Sequence, residues 1–270
     1  MKKRGIFFSG VLITFVLLAK IYYDTNVFKV KEVEFQSSKL PEDTQVTIVQ
    51  ISDLHSKDFG DQYKKLVESI EDLQADLIVI TGDLIDRKTT DFAGVFSFIE
   101  KVAESNEKIY FVCGNHEWEN THTEELLEGL EERNVILLNN ENRELTINRV
   151  TMNVAGVDDG FLNKEDVKKA FHGLDQARYT LLLSHTPNIV YQDVPADLIL
   201  SGHTHGGQVR FPFIGALLAP DQGFFPELDK GIYKMDDHQT LYIDSGLGTS
   251  IGPIRFLNQS QFSVIKIEHP

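Results

Sequence analysis

Five short polar runs in this 270-residue chain carry side chains able to hold metal ions: Ser52-Asp53-Leu54-His55, Thr81-Gly82-Asp83, Gly114-Asn115-His116-Glu117, Ser184-His185 and Ser201-Gly202-His203-Thr204-His205. Taken singly each is weak. An Asp after an apolar run is usually a turn or helix cap, and a lone His is usually a satisfied structural residue. Together the runs hold five of the nine histidines beside Asp and Gly, which is hard to assign to chance. Mixed imidazole and carboxylate donors suit zinc, manganese or iron rather than calcium, which takes oxygen alone. Two such ions about 3.5–4 Å apart can clamp the attacking and leaving oxygens of an in-line displacement. Four ligands per ion with one shared carboxylate require about seven residues. The runs offer Asp53, His55, Asp83, Asn115, His185, His203 and His205, and leave His116 over, where an acid or electrostatic group is wanted.

Each run follows an apolar stretch that must place it. Strands are expected at 46–51, 77–80, 109–112 and 135–138, alternating with helices at 63–73, 92–102 and 124–130. The second half is richer in strands, at 144–147, 152–157, 179–183, 198–200, 208–211, 231–235, 240–243 and 262–267, with one helix at 164–171. This pattern predicts an α/β fold, a four-layer α/β/β/α sandwich of two mixed sheets flanked by helices. Ligands of α/β sheets collect where the carboxyl ends of strands converge, and all five runs lie at such ends. Side chains two apart on an extended segment share a face, so Asp53 is expected beside His55 and His203 beside His205. Gly82, Gly114 and Gly202 let the backbone turn tightly beside the site.

The N-terminus reads differently from the body. Lys2, Lys3 and Arg4 precede an uncharged apolar run over 5–19, followed by Lys20, Ile21, Tyr22 and Tyr23. A spanning helix wants about 20 apolar residues, reached here if Lys20 snorkels and the tyrosines form an aromatic belt. Residues 1–25 are therefore a membrane anchor or a signal segment. The absence of a small-x-small cleavage pattern around 18–20 favours the uncleaved anchor. Residues 26–44 are expected as a linker and 45–270 as the catalytic domain. The positive-inside rule predicts a single-pass anchor in the cell membrane with the domain extracytoplasmic, although Lys29 and Lys31 on the far side weaken the asymmetry.

Composition bounds the partners. Hydrophobic residues make up 41% and charged residues 25%, as in a globular body. The net charge of −15 argues against nucleic-acid binding, which needs a basic face. It leaves room for an anionic substrate, because bound cations invert the local field. The one cysteine, Cys113, can form neither an internal disulfide nor a Cys-type zinc site, and is expected in the core.

The order D-x-H, G-D, G-N-H-D/E, H and G-H-x-H resembles the calcineurin-like metallophosphoesterase superfamily, with all blocks present between Asp53 and His205. The run 201–208, Ala219-Pro220-Asp221-Gln222-Gly223 and Gly246-Leu247-Gly248-Thr249-Ser250 is similar to the YkuE/YaeI-type membrane-associated phosphodiesterases. The resemblance implies a first metal on Asp53, His55 and His205, a second on Asn115, His185 and His203, and Asp83 bridging them. It implies a metal-bridging hydroxide attacking phosphorus, with His116 assisting the leaving group. Gly82-Asp83-Leu84-Ile85-Asp86-Arg87 also matches the G-D-x-x-D-R run of the Ser/Thr phosphatase branch, in which the second Asp orients the catalytic His and the Arg binds phosphate. Asp86 and Arg87 either do likewise here or serve as a helix cap and a surface ion pair.

The expected function is thus a metal-dependent phosphoester hydrolase, a phosphodiesterase or phospholipid-type hydrolase acting on a phosphoester that could be lipid-linked. It would use two divalent transition-metal ions, manganese first, with zinc or iron as alternatives. A dinuclear amidohydrolase or peptidase would ordinarily show more Glu or a modified Lys. A non-catalytic membrane-tethered binding module would ordinarily have lost ligands. The apolar segment 211–225 reads either as a lip meeting lipid or as core packing, and Trp118 either walls the pocket or packs.

Overall fold

Alternation along the strands decides how the layers stack. The computed structural model describes the backbone of residues 2–250 and 252–270, with side chains from Phe8 onward. Lys2, Lys3 and Arg4, on which the expected orientation rests, lie outside the described side chains. Helix α1 (Lys2–Asn26) leads into β1 (Lys29–Gln36) and β2 (Gln45–Ile51). Then follow α2 (Lys64–Glu71), β3 (Leu77–Ile80), α3 (Ala93–Ser105), β4 (Ile109–Phe111), the single-turn α4 (Asn115–Trp118), α5 (Thr123–Glu131) and β5 (Val135–Leu137). The second half runs β6 (Glu141–Ile147), β7 (Val150–Gly156), α6 (Val167–Ala170), β8 (Thr180–Leu183) and β9 (Leu198–Ser201). Four two-residue strands follow, β10 (Arg210–Phe211), β11 (Gly215–Ala216), β12 (Leu218–Ala219) and β13 (Gly223–Phe224). The chain closes with β14 (Gly231–Lys234), β15 (Thr240–Ile243) and β16 (Gln261–Glu268).

Two six-stranded mixed sheets result, in the orders β1-β16-β2-β3-β4-β5 and β14-β15-β9-β8-β7-β6. Strands β2 to β5 are parallel, as are β7, β8, β9 and β15, so their carboxyl ends point the same way within each sheet. In β2, Val46 and Ile48 face the second sheet and pack with Leu181, Leu183 and Leu200, while Val49 and Ile51 face the helices. Helix α3 answers them with Val95, Phe98, Ile99 and Val102, one stripe at helical spacing. Burying each such side chain contributes about 1.5–3 kcal/mol. The layer over the second sheet is thin, made by α6 and a 3-10 turn at Pro187–Tyr191, with Ala170, Ile189 and Val194 against Leu182, Ile199 and Leu241. Cys113 is buried in the core.

Several expectations require correction. The stretch 26–44 is not simply a linker: β1 pairs in parallel with β16 from Lys29↔Gln261 to Gln36↔Glu268. Of its eight residues only Val33 is buried, because it is an edge strand whose charges discourage further pairing and hide its signal. The helix expected at 164–171 shrinks to α6, because the Asp166 side chain caps it by accepting from the Lys169 amide at 3.0 Å. The strand expected at 208–211 is reduced to β10, half of a small hairpin with β11.

Helix α1 is long and apolar enough to cross a membrane by length and composition, and from Phe8 to Leu18 it is uncovered by the rest of the chain. Its last turn is docked. Asp24 and Thr25 are buried, the Ser260 amide donates to Asp24 O at 2.8 Å, and the Arg255 amide donates to Thr25 Oγ1 at 2.8 Å.

Candidate dinuclear metal centre

The carboxyl ends of β2, β3, β4, β8 and β9 meet in one place, and each delivers its ligand residues as the strand ends. Asp53, His55, Asp83, His203 and His205 all have positive φ, between 49° and 67°. Asp53 with His55, and His203 with His205, therefore converge through left-handed turns beyond the strands rather than through strand alternation, which corrects the sequence expectation. Such conformations are uncommon for residues with a Cβ and collect at functional sites. Two glycines permit the close approach. A Cβ on Gly114 would lie 2.3 Å from Asp83 Oδ1, and one on Gly202 would lie 1.8 Å from Ser52 Oγ.

Two groups of donors share one carboxylate. Asp53, His55, Asp83 and His205 can offer ligand atoms all within 4.8 Å of one another, and so can Asp83, His185 and His203. His55 Nε2 lies 3.2 Å from His205 Nε2, which is 3.5 Å from Asp53 Oδ1. His185 Nε2 lies 3.0 Å from His203 Nδ1. Between the groups, Asp83 Oδ2 is 3.6 Å from His55 Nε2 and 3.4 Å from His185 Nε2. Asn115, at the start of α4, is buried, and its Oδ1 has no hydrogen-bond partner. An orphaned buried carbonyl is costly unless a ligand completes it, so this donor set fits a pair of cations.

The other expected residues sit at the rim of this cluster. His116 Nε2 is 4.0 Å from Asp83 Oδ2, and its amide donates to Asp83 Oδ1 at 2.9 Å. Its Nδ1 accepts the Arg87 amide at 3.2 Å. Asp86 Oδ2 is 3.6 Å from that Nδ1, too far for a hydrogen bond. The Arg87 side chain is 44% exposed, ion-paired to Glu119 Oε2 at 3.0 Å, and reaches within 2.6 Å of His116 Nε2.

Three contributions escaped the sequence: the task of Glu117, the bond that orients His185 and the partner of Asp221. Glu117 is buried beneath the turn and accepts from the amides of Asp83, Gly114 and Ile85 at 2.8, 2.8 and 3.2 Å. His185 Nδ1 donates to Thr81 O at 2.8 Å, which leaves Nε2 free for a metal. Asp221, between β12 and β13, meets His203 Nε2 at 2.7 Å, which leaves Nδ1 for the centre. Asp221 stands in the 219–223 run noted above, but nothing in sequence joins it to His203, because it reaches the site from a hairpin outside both sheets. Carboxylates behind metal-bound histidines raise ligand basicity and fix the ring. Asp221→Asn is expected to weaken metal binding about 10–100-fold, read by competition with a fluorescent chelator. Unchanged affinity would remove Asp221 from the site.

Electrostatics favour cations. Burial works against charge on every group here. It pushes Asp53 up to about 6 and His55 down to about 4. Burial, then the neighbouring His55, hold His205 well below the usual imidazole range, neutral and ready to ligate. Burial opposes the anion at Asp83, but His185 and the other histidines outweigh it and hold that carboxyl well down. The reverse balance, burial against the Asp83 charge, lifts His185 well above its usual value. That direction favours the protonated ring when no cation is bound, whereas a ligating imidazole must be neutral. Metal binding at pH 7 is expected to release about one proton, with affinity rising with pH up to the His185 pKa. Below pH about 6 the slope steepens as Asp53 must also lose its proton. Titration calorimetry in two buffers of different ionisation enthalpy measures this; heats independent of buffer would contradict it.

Comparison with known proteins bears on what the cluster is. The family profile described as calcineurin-like phosphoesterase matches residues 46–207, which contain every candidate ligand above. The uncharacterized metallophosphoesterase YkoQ of Bacillus subtilis is 31% identical over 246 residues, covering 88% of this chain and 90% of its own length. YkuE of the same organism is 28% identical, covering 92% and 88%. Two solved structures share the fold: GAP50, the anchor in the inner membrane complex of Plasmodium (TM-score 0.50, 14% identity, 83% of this chain and 81% of that one), and the Haemophilus influenzae NAD nucleotidase NadN (TM-score 0.50, 17% identity, 76% and 46%). The chain belongs to the calcineurin-like phosphoesterase family, hydrolases of phosphoric esters that use a dinuclear divalent metal site.

Proposed function

We propose that this chain is a membrane-held phosphodiesterase or phospholipid-type hydrolase with manganese as its preferred metal, its body on the outer side of the cell membrane. The observation that carries this reading is Asp83, set between two groups of histidines at the strand ends, with His116 and Arg87 along the open side. Asp53, His55 and His205 would hold one ion, Asn115, His185 and His203 the other, and Asp83 both. Bound cations supply Lewis acidity, which neutralises phosphoryl charge and lowers the pKa of water.

The protein's own share follows from hydrogen bonds. In the ring form whose Nδ1 accepts the backbone N–H of Arg87, the single proton is on Nε2, facing the centre. Burial lowers the pKa of this ring, so the neutral form is the working one, and its Nε2–H donates to the oxygen that departs from phosphorus. The Arg87 guanidinium then faces another donor at that Nε2, an arrangement relieved when a phosphate oxygen draws it inward. Asp86 holds the turn by accepting the Lys88 amide at 3.0 Å and orients His116 only at longer range. The preference for lipid-linked diesters is supported by the uncovered apolar stretch of α1, which would hold the centre near a bilayer.

The test supplies manganese to the full chain in detergent and compares an aryl phosphodiester, an aryl monoester, a phospholipid and a peptide. Diester or phospholipid turnover should dominate, and His116→Asn should lower kcat roughly 100–1000-fold with both metals retained. Preference for the monoester would overturn the diester assignment, and peptide cleavage would favour the amidohydrolase alternative.

A further inference from the structure

Helix α1 is not the only apolar surface uncovered by the rest of the chain. Phe213, Ile214, Phe224 and Phe225 are each at least 60% exposed, so the core-packing reading of 211–225 fails for these side chains. Beyond α1, the exposed phenylalanines among the described residues are Phe161, Phe211, Phe213, Phe224 and Phe225. Four of the five lie in this one segment, and the fifth, Phe161, packs on the His203 ring with centroids 5.7 Å apart. Scattered exposed apolar residues need no explanation, but a cluster of aromatics beside a catalytic centre does.

The segment is tied to the helix through one intervening loop. The last turn of α1 is bonded to Arg255 and Ser260, and Ile254 and Leu257, both exposed, flank Arg255. The next residue, Phe256, exchanges backbone hydrogen bonds with the hairpin side of the loop: its amide donates to Gln208 O at 3.1 Å, and the Arg210 amide donates to Phe256 O at 3.0 Å. Its ring also meets Phe211. From there the Leu217 amide donates to Val209 O, and the Phe225 amide to Leu217 O. A pocket of about 240 Å³ opens among Val209, Leu217, Leu218 and Ile254, and Gly207 on its wall is two residues from the ligand His205. Asp221, on the turn between β12 and β13, contacts the ligand His203.

We propose that the hairpins spanning 210–225, with Ile254 and Leu257, form a lipid-facing rim that rests in the bilayer surface beside the exit of α1, and that the centre takes phosphoesters presented from that leaflet. This deepens, and rests on, the reading of the chain as a membrane-held phosphoesterase. The occupant is lipid rather than a second protein because α1 delivers the membrane to this edge: the rim begins on the loop that grips the last turn of a helix long enough to span. Phenylalanines at loop tips suit that role, since they carry large apolar surface on short side chains. The pocket then receives an acyl chain while the headgroup phosphate reaches the metals. The Asp221 contact ties seating of the hairpin to the orientation of His203.

The experiment uses the full chain in phosphatidylglycerol vesicles with bromine-labelled acyl chains. Phe213→Trp should show fluorescence quenched by the bromines beyond that of the unsubstituted chain, which carries only Trp118. Phe213→Ser with Phe225→Ser should leave turnover of a soluble aryl phosphodiester unchanged and lower phosphatidylglycerol turnover on the order of tenfold. Absence of quenching on vesicle-bound chain, or equal phosphatidylglycerol turnover with and without the two serines, would overturn the rim. If neither the diester nor phosphatidylglycerol is hydrolysed, the phosphoesterase reading fails, and quenching still decides whether the rim touches lipid.

Discussion

Asp83→Asn is expected to lower turnover of an aryl phosphodiester on the order of 10³-fold and to leave the fold intact. One oxygen of this carboxylate, Oδ2, lies 3.6 Å from His55 Nε2 and 3.4 Å from His185 Nε2, between the two histidine clusters. As the shared ligand it would serve both cations, and an amide has neither the charge nor a second anionic oxygen to do so. The structural duty of the residue is separable, because Oδ1 accepts the His116 amide and an amide oxygen can keep that bond. The variant should also lose its hold on His185, whose raised pKa is maintained by the Asp83 charge against the cost of burial. Metal content by mass spectrometry should fall below two equivalents, with the melting temperature of the metal-free protein little changed. Near-normal turnover with both metals bound would refute the bridging assignment.

The second large effect concerns stability. Arg255 is among the largest fully buried side chains, and its guanidinium serves three backbone carbonyls. Nη2 donates to Ser245 O and Gly248 O, both at 2.6 Å, Nε to Gly248 O at 2.9 Å, and Nη1 to His205 O at 3.4 Å. Burial lowers its pKa only to about 10, so it stays charged, with Asp53 and Asp244 as its electrostatic partners. Arg255→Ala would orphan those carbonyls, open a cavity and remove the cation that Asp53 and Asp244 face. The expected cost is about 3–5 kcal/mol, read as a lower urea midpoint of the full chain in detergent with chelator present. Arg255→Lys should recover only part of it, because an ammonium cannot present the planar fork. An unchanged midpoint in the alanine variant would show that the carbonyls find water instead.

The site was legible in the sequence because its chemistry is concentrated. Five polar runs, each behind a buried parallel strand, needed only the rule that such strands deliver ligands at their carboxyl ends, and β2, β3, β4, β8 and β9 obey it. Glu117 was visible within its run, but its task was not, since nothing in sequence says that a carboxylate turns inward to collect three amides. Asp221 was visible within the 219–223 run, but its contact with His203 was not, and Arg255 lay in no run at all. Their partners are an imidazole 18 residues away and the backbone carbonyls of His205, Ser245 and Gly248, which no spacing connects to them. Strand β1 was missed because its outer face is charged and its one buried residue makes no pattern. The thin helical layer over the second sheet was overestimated at 164–171, where a single Asp cap shortened the helix.

Strand β16 has a consequence for how this protein comes into being. It is the last element of the chain, yet it lies between the first two strands, parallel to β1 and antiparallel to β2. Its first residues also brace the loop beneath the centre: the Gln261 amide donates to Gly246 O at 3.0 Å, and the Gln261 side chain to Asp244 at 3.1 Å. During synthesis β1 and β2 are made long before β16, so the first sheet closes only once β16 has emerged. Until then, every candidate ligand has been made while β2 still exposes an unpaired edge. A chain lacking residues 261–270 would keep all seven candidate ligands and still lack the strand that joins β1 to β2, so a complete set of site residues does not by itself give a closed sheet.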